Sequence, residues 1–230
     1  MRASSFSQLQ QRLRDPLLTA LTAMLAIFLF IIAPFQATGV AVAAAAHGFG
    51  IVFGLVLIAA VFVVSRSVLA VGAIVVAIAL VMSTTVMRFY HPSVLDIYLD
   101  AGAWLLMSVT LTVVVGRAVF AAGPVNYHRV IGAVLLYLNI GLIFVALFCF
   151  VALLAPKSFS GFDVLKDDLS VASNFIYFSF VTLTTVGYGD IVPLHPIARG
   201  LCNVEAIIGQ LYPATLLARL VTLEIENRRR

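Results

Sequence analysis

Residues Thr182–Pro193 read TLTTVGYGDIVP, and the chemistry available there lies in the backbone. In an extended strand, successive carbonyls point to opposite sides. If residues instead alternate between right-handed and left-handed conformations, successive carbonyls can all face one way. The left-handed conformation is costly for valine or tyrosine and cheap for glycine. Val186-Gly187-Tyr188-Gly189 therefore permits a column of carbonyl oxygens, with the Thr185 hydroxyl adding one more at its base. Such oxygens can replace the hydration shell of a monovalent cation. One chain supplies one edge of the column. With one copy per chain, a symmetric tetramer is the natural way to close a pore around it.

The elements that must position this stretch are membrane elements. Of 230 residues, 63% are hydrophobic and 10% charged, where a soluble domain carries roughly 25% charge. Six apolar runs reach the ~20 residues that a spanning helix needs: about 16–35, 41–64, 68–87, 97–120, 130–154 and 197–223. Between the last two, Val171 to Leu183 is apolar but too short to span, which is the pattern of a re-entrant half-helix. With the N-terminus inside, Arg2, Arg12, Arg14, Arg66, Arg117, Arg129, Arg219 and Arg228 to Arg230 fall on the inner side. Arg88, Lys157, Lys166 and Arg199 fall outside. That bias puts both termini in the cytoplasm and the half-helix on the outer side. The net charge of +4 thus marks topology rather than a nucleic-acid surface. The first run lacks a clean cleavage site and reads as a retained anchor. Cys149 and Cys202 lie within apolar runs and form no disulfide framework. No soluble domain and no enzyme motif is visible, so neither catalytic residues nor a resident cofactor are expected.

The expected fold is an all-α membrane protein of six transmembrane helices plus a re-entrant pore helix and its loop. Residues 1–15 form a basic cytoplasmic segment and 16–122 a four-helix bundle. Residues 129–223 form the pore module: outer helix 129–155, half-helix 171–184, carbonyl-bearing loop 185–189 and inner helix 197–223. Residues 224–230 form a short basic cytoplasmic tail.

The sequence TTVGYGD, Thr184 to Asp190, follows an aromatic-rich half-helix and precedes a span. It resembles the selectivity filter of potassium channels, and the resemblance covers about Val130 to Leu223. It implies that the Thr185 hydroxyl and the carbonyls of Thr185, Val186, Gly187, Tyr188 and Gly189 coordinate K+. Thr184, Tyr188 and Asp190 would support the filter. Tyr177 and Phe178 stand where many relatives have two tryptophans, and Tyr177 can offer its hydroxyl to Asp190. Some relatives place a glutamate where Val181 stands, so a carboxylate pair with Asp190 is not expected here.

In the last span, Gly209 falls where relatives carry a glycine associated with bending, and Pro213 follows one turn later. The open readings are a hinge or kink and close helix packing. Alignment by offset puts Gln210, Pro213, Ala214, Leu217 and Ala218 near the pore, with Leu217 a candidate hydrophobic constriction. Glu205 is a costly carboxylate at membrane depth. It reads either as buried support bonded to threonine or tyrosine groups, or as a water-facing group that titrates. The fourth span carries only Arg117, whereas steep voltage sensing uses about 3–4 charges per subunit, so conventional voltage gating is not expected.

The resemblance thus implies a passive potassium-selective homotetramer in the cell membrane, with lipids and K+ as its partners. The rivals are a coupled potassium transporter, a non-conducting pore-like scaffold and a non-selective cation channel. A single full filter copy speaks against the transporter, and Tyr188 speaks against the non-selective channel.

Overall fold

The computed structural model describes residues 16–35, 40–65, 67–90, 94–120, 127–155, 157–162 and 170–228. The basic segment 1–15 lies outside the described residues, as do the side chains of 220–230. Helix α1 covers residues 16–35 and includes a π-helical turn at Phe28–Ile32. Helices α2 (Val40–Ser65), α3 (Val68–Tyr90) and α4 (Val94–Val119) follow. Then come α5 (Tyr127–Leu154), the half-helix α6 (Ser170–Leu183) and α7 (Pro196–Arg228).

The helix ends follow from local chemistry. Helix α5 stops just ahead of Pro156, because a residue before proline is pushed out of the helical region. Helix α7 begins on Pro196, where a missing N–H costs nothing. It runs past the expected end at 223 to Arg228, because Glu224 to Arg228 hold no helix breaker. Pro213 sits inside it. Proline has no N–H to give, so the Gly209 carbonyl four residues earlier lacks its helical partner.

Among the described residues, three segments are long and apolar enough to cross a membrane: Tyr98–Val119, Arg129–Leu154 and Pro196–Arg219. Pro16–Ile32, Val52–Ser65, Val68–Thr84 and Val171–Leu183 are shorter apolar stretches.

One buried cluster joins the first five helices through Leu21, Leu25, Leu57, Ile74, Val115 and Leu135. Polar staples cross it. Asn139 on α5 donates to the Ser108 carbonyl and to the Thr112 hydroxyl of α4, each at 2.7 Å. The Thr84 hydroxyl of α3 donates to the Asp100 carboxylate of α4. Each such interhelical bond is worth roughly 0.6–2 kcal/mol in a membrane.

A second, aromatic cluster fixes α6. Phe148 of α5 and Phe178 of α6 meet at 5.0 Å, and Phe159 packs on Phe175 and Phe178 at 5.3 and 5.4 Å. Phe159 belongs to strand β1 (Phe159–Ser160), which pairs antiparallel with β2 (Val192–Pro193). This short ladder ties the chain after α5 to the chain just beyond Asp190. The C-terminal half of α7 is anchored separately. The Tyr212 hydroxyl donates to the Ala133 carbonyl at 2.8 Å. Arg219 donates to the Phe120 carbonyl at 3.0 Å, with its guanidinium 4.9 Å from the Phe120 ring.

Candidate functional site: a carbonyl-lined loop held by α6 and α7

A helix leaves its last carbonyls without intrahelical partners. In α6 the following loop takes them up. Thr184 N–H donates to Phe180 O at 3.0 Å, and Thr185 N–H to Thr182 O at 2.9 Å. Val186 and Gly187 N–H both donate to Val181 O, at 3.0 and 3.3 Å. A trans peptide is planar, with its carbonyl opposed to its N–H, and no described peptide is cis. The carbonyls of Thr184, Thr185 and Val186 therefore turn away from α6.

The backbone torsions alternate. Thr185, Gly187 and Gly189 have φ of +59°, +57° and +80°, while Val186 and Tyr188 are not left-handed. The two glycines occupy the conformation that glycine alone adopts cheaply. The alternation begins one residue earlier than glycine spacing requires, at a β-branched threonine. Such a residue costs about 1–3 kcal/mol and persists only where its surroundings fix it. Its amide bond to Thr182 is one restraint. The other is Gln210 of α7, whose Nε2 donates to the Thr185 hydroxyl at 2.8 Å.

All residues from Thr184 to Asp190 are exposed in the single chain, Tyr188 at 72%. The Tyr188 ring lies parallel to Tyr177, with centroids 6.4 Å apart and planes 1° apart. The Tyr177 hydroxyl faces the Asp190 carboxylate closely enough to feel its charge. Behind Asp190, its carbonyl lies against Gly161, where a Cβ would come within 2.4 Å. Leu194 N–H donates to Ser158 O at 2.7 Å, which seats the end of the loop beyond Asp190.

Glu205 is fully buried. Its partner is neither threonine nor tyrosine but Ser179 of α6, whose hydroxyl lies 2.5 Å from Oε1. The same hydroxyl lies 2.9 Å from the Gly141 carbonyl of α5. A hydroxyl has one hydrogen, and a carbonyl can only accept. Both contacts are satisfied together only when Glu205 is the neutral acid and donates to Ser179. Its Oε2 is buried and has no partner among the described residues, which suits an uncharged group. One acid thus links α7, α6 and α5 behind the loop.

Gly209 sits one turn further on and touches the end of α6: a Cβ there would lie 1.8 Å from the Leu183 carbonyl. Close packing is therefore a present reason for this glycine. Pro213 and Leu217 are exposed on α7, Leu217 at 64%. Gly209→Ala is expected to lower the thermal midpoint of the purified protein, since overpacking costs about 1–3 kcal/mol. Pro213→Ala restores a donor to the Gly209 carbonyl and is expected to leave the midpoint unchanged or raised. A thermal melt of both variants checks the contrast.

Two contributors escaped the sequence reading. Ser179 carried a weak signal, a small polar residue within an aromatic half-helix. Asn139 carried a stronger one, an amide within an otherwise apolar span.

A half-helix, a carbonyl-presenting loop and two flanking long helices define the pore module of an ion channel. Residues 140–225 match the family model described as an ion channel. Among curated proteins, the chain is similar to "Protein LctB" of Bacillus caldotenax, at 39% identity over 56 residues, 24% of this chain and 41% of that protein. It is also similar to "Protein LctB" of Geobacillus stearothermophilus, at 40% identity over 67 residues, 29% of this chain and 46% of that protein. The chain thus spans less than half the length of these relatives. No solved structure matches it.

Proposed function

We propose that the chain forms a passive potassium-selective channel, a homotetramer that spans the cell membrane with six helices per subunit and keeps both termini in the cytoplasm. The Thr185 hydroxyl and the carbonyls of Thr185 to Gly189 line the ion path, with Thr184, Tyr177 and Asp190 as its support. The observation that carries this reading is the alternation at Thr185, Gly187 and Gly189, together with the amides of Thr184 to Gly187, which turn back to the end of α6. Carbonyls aimed away from the protein at membrane depth need a cation and neighbouring chains to satisfy them.

Tetramerisation has its own support. Val204, Ile207 and Leu211 of α7 are 49–59% exposed along one stripe, which neighbouring subunits would cover. Bending of α7 at the unpaired Gly209 carbonyl would gate the pore, with Leu217 as the constriction. Arg117, the one basic residue of α4, is exposed near its inner end. It serves as an interfacial anchor rather than a voltage sensor.

Ion efflux from liposomes holding purified protein tests the class. Barium-sensitive potassium efflux with no other ion gradient is the expected result. Efflux that needs a proton or sodium gradient would mean a coupled transporter. Equal sodium and potassium efflux would mean a non-selective channel, and silence would mean a scaffold.

A further inference from the structure

We propose that Gln210 is a positioning residue of the innermost cation site: its amide N–H holds the Thr185 hydroxyl and weakens that oxygen as a ligand. The proposal rests on the potassium-filter reading above. Three observations carry it. First, Gln210 Nε2 lies 2.8 Å from Thr185 Oγ1, the hydroxyl at the base of the carbonyl column. Second, Thr185 is left-handed at φ +59° and its amide is fixed to Thr182, so its hydroxyl has little freedom to move off the contact. Third, Gly209 brings the backbone of α7 against the Leu183 carbonyl, with no room for a Cβ between. That approach sets the height of the next residue, Gln210, at the foot of the loop.

The chemistry follows from counting. A hydroxyl has one hydrogen and two lone pairs. The Gln210 N–H occupies one lone pair, which leaves a single one for a cation. It also places the positive end of an amide dipole beside that cation. Gln210 is exposed, as Thr184 to Asp190 are. In a tetramer, four amides would therefore ring the base of the column. Their effect is to make the innermost site shallower, so that an ion leaves it towards the inner end more readily. The amide bond from Thr185 to Thr182 does not involve Gln210, so one of the two restraints on Thr185 survives substitution at 210, and retained potassium selectivity in each variant reports that the loop is kept.

The test is barium block from the inner side of planar bilayers containing the full-length protein. Barium is close to potassium in size and carries twice the charge, so it lodges in the same oxygen cage. Gln210→Leu removes the donor and frees the second lone pair. The half-blocking barium concentration should fall by about threefold to tenfold, the value of one hydrogen bond. Gln210→Glu has the same shape, accepts the Thr185 hydrogen and adds negative charge, so block should tighten further. That order, Glu tighter than Leu and Leu tighter than Gln, is one that a merely structural role would not produce. Should the leucine variant fail to assemble, Gln210→Met, which is also neutral and lacks a donor, takes its place. Half-block that stays unchanged, or that weakens, in potassium-selective channels overturns the assignment of Gln210. A wild-type protein without potassium selectivity overturns the filter reading, and this proposal with it.

Discussion

Gly187→Ala is expected to abolish potassium flux while leaving the helices folded. Within the chain, a Cβ on Gly187 meets nothing within 4 Å, so the cost is not a clash. It is conformational, because φ there is +57°. An L-residue pays about 1–2 kcal/mol for the left-handed region. In the proposed tetramer that cost falls on four chains around one axis, or about 4–8 kcal/mol in total. The cheaper course for alanine is to return to negative φ, which rotates the flanking peptides. The Gly187 N–H then leaves Val181 O, and the Val186 carbonyl leaves the column. Gly189, at φ +80°, should behave the same way. Flux at matched protein incorporation, with circular dichroism as the folding control, checks this. Wild-type flux in Gly187→Ala would mean that the carbonyl column is not the ion path.

Glu205→Ala should destabilise the assembly strongly, whereas Glu205→Gln should resemble the wild type. The alanine variant empties a fully buried site and removes the link from α7 to Ser179. Emptying a buried site of this size costs about 2–5 kcal/mol. The glutamine amide can donate to Ser179 while Ser179 donates to Gly141, which reproduces the neutral acid bond for bond. Tyr137 and Cys202 are the nearby groups that would feel a charge at Glu205. A neutral acid gives them none, so potassium flux should be alike on either side of neutral pH in wild type and Glu205→Gln. Thermal melts of both variants and flux at the two pH values are the measurements. A glutamine variant as unstable as alanine would show that the site needs a carboxylate charge.

The loop was legible in the sequence because its physics is local. Two glycines at alternate positions announce alternate left-handed residues, and a half-length apolar run announces a helix that cannot span. What the sequence did not reveal is long-range. Glycine spacing is silent on Thr185, whose left-handed turn depends on partners in α6 and α7. Helical periodicity put Glu205 and Gly209 on one stripe, but it does not say which residue of α6 that stripe meets. Ser179 and the Leu183 carbonyl are answers that only packing supplies. The β1–β2 pairing is two residues long, too short to leave a pattern. The continuous apolar run breaks at Glu224, yet helix propensity continues to Arg228.

The reversal potential across a bilayer with potassium on one side and sodium on the other tests the central claim most directly. A univalent channel moves its reversal potential by about 59 mV for each tenfold preference. The carbonyl column predicts a reversal potential displaced by at least one such step towards the potassium equilibrium value. It also predicts that Gly187→Ala carries no current with that displacement. A reversal potential near zero in the wild type, at equal concentrations of the two ions, would contradict the account.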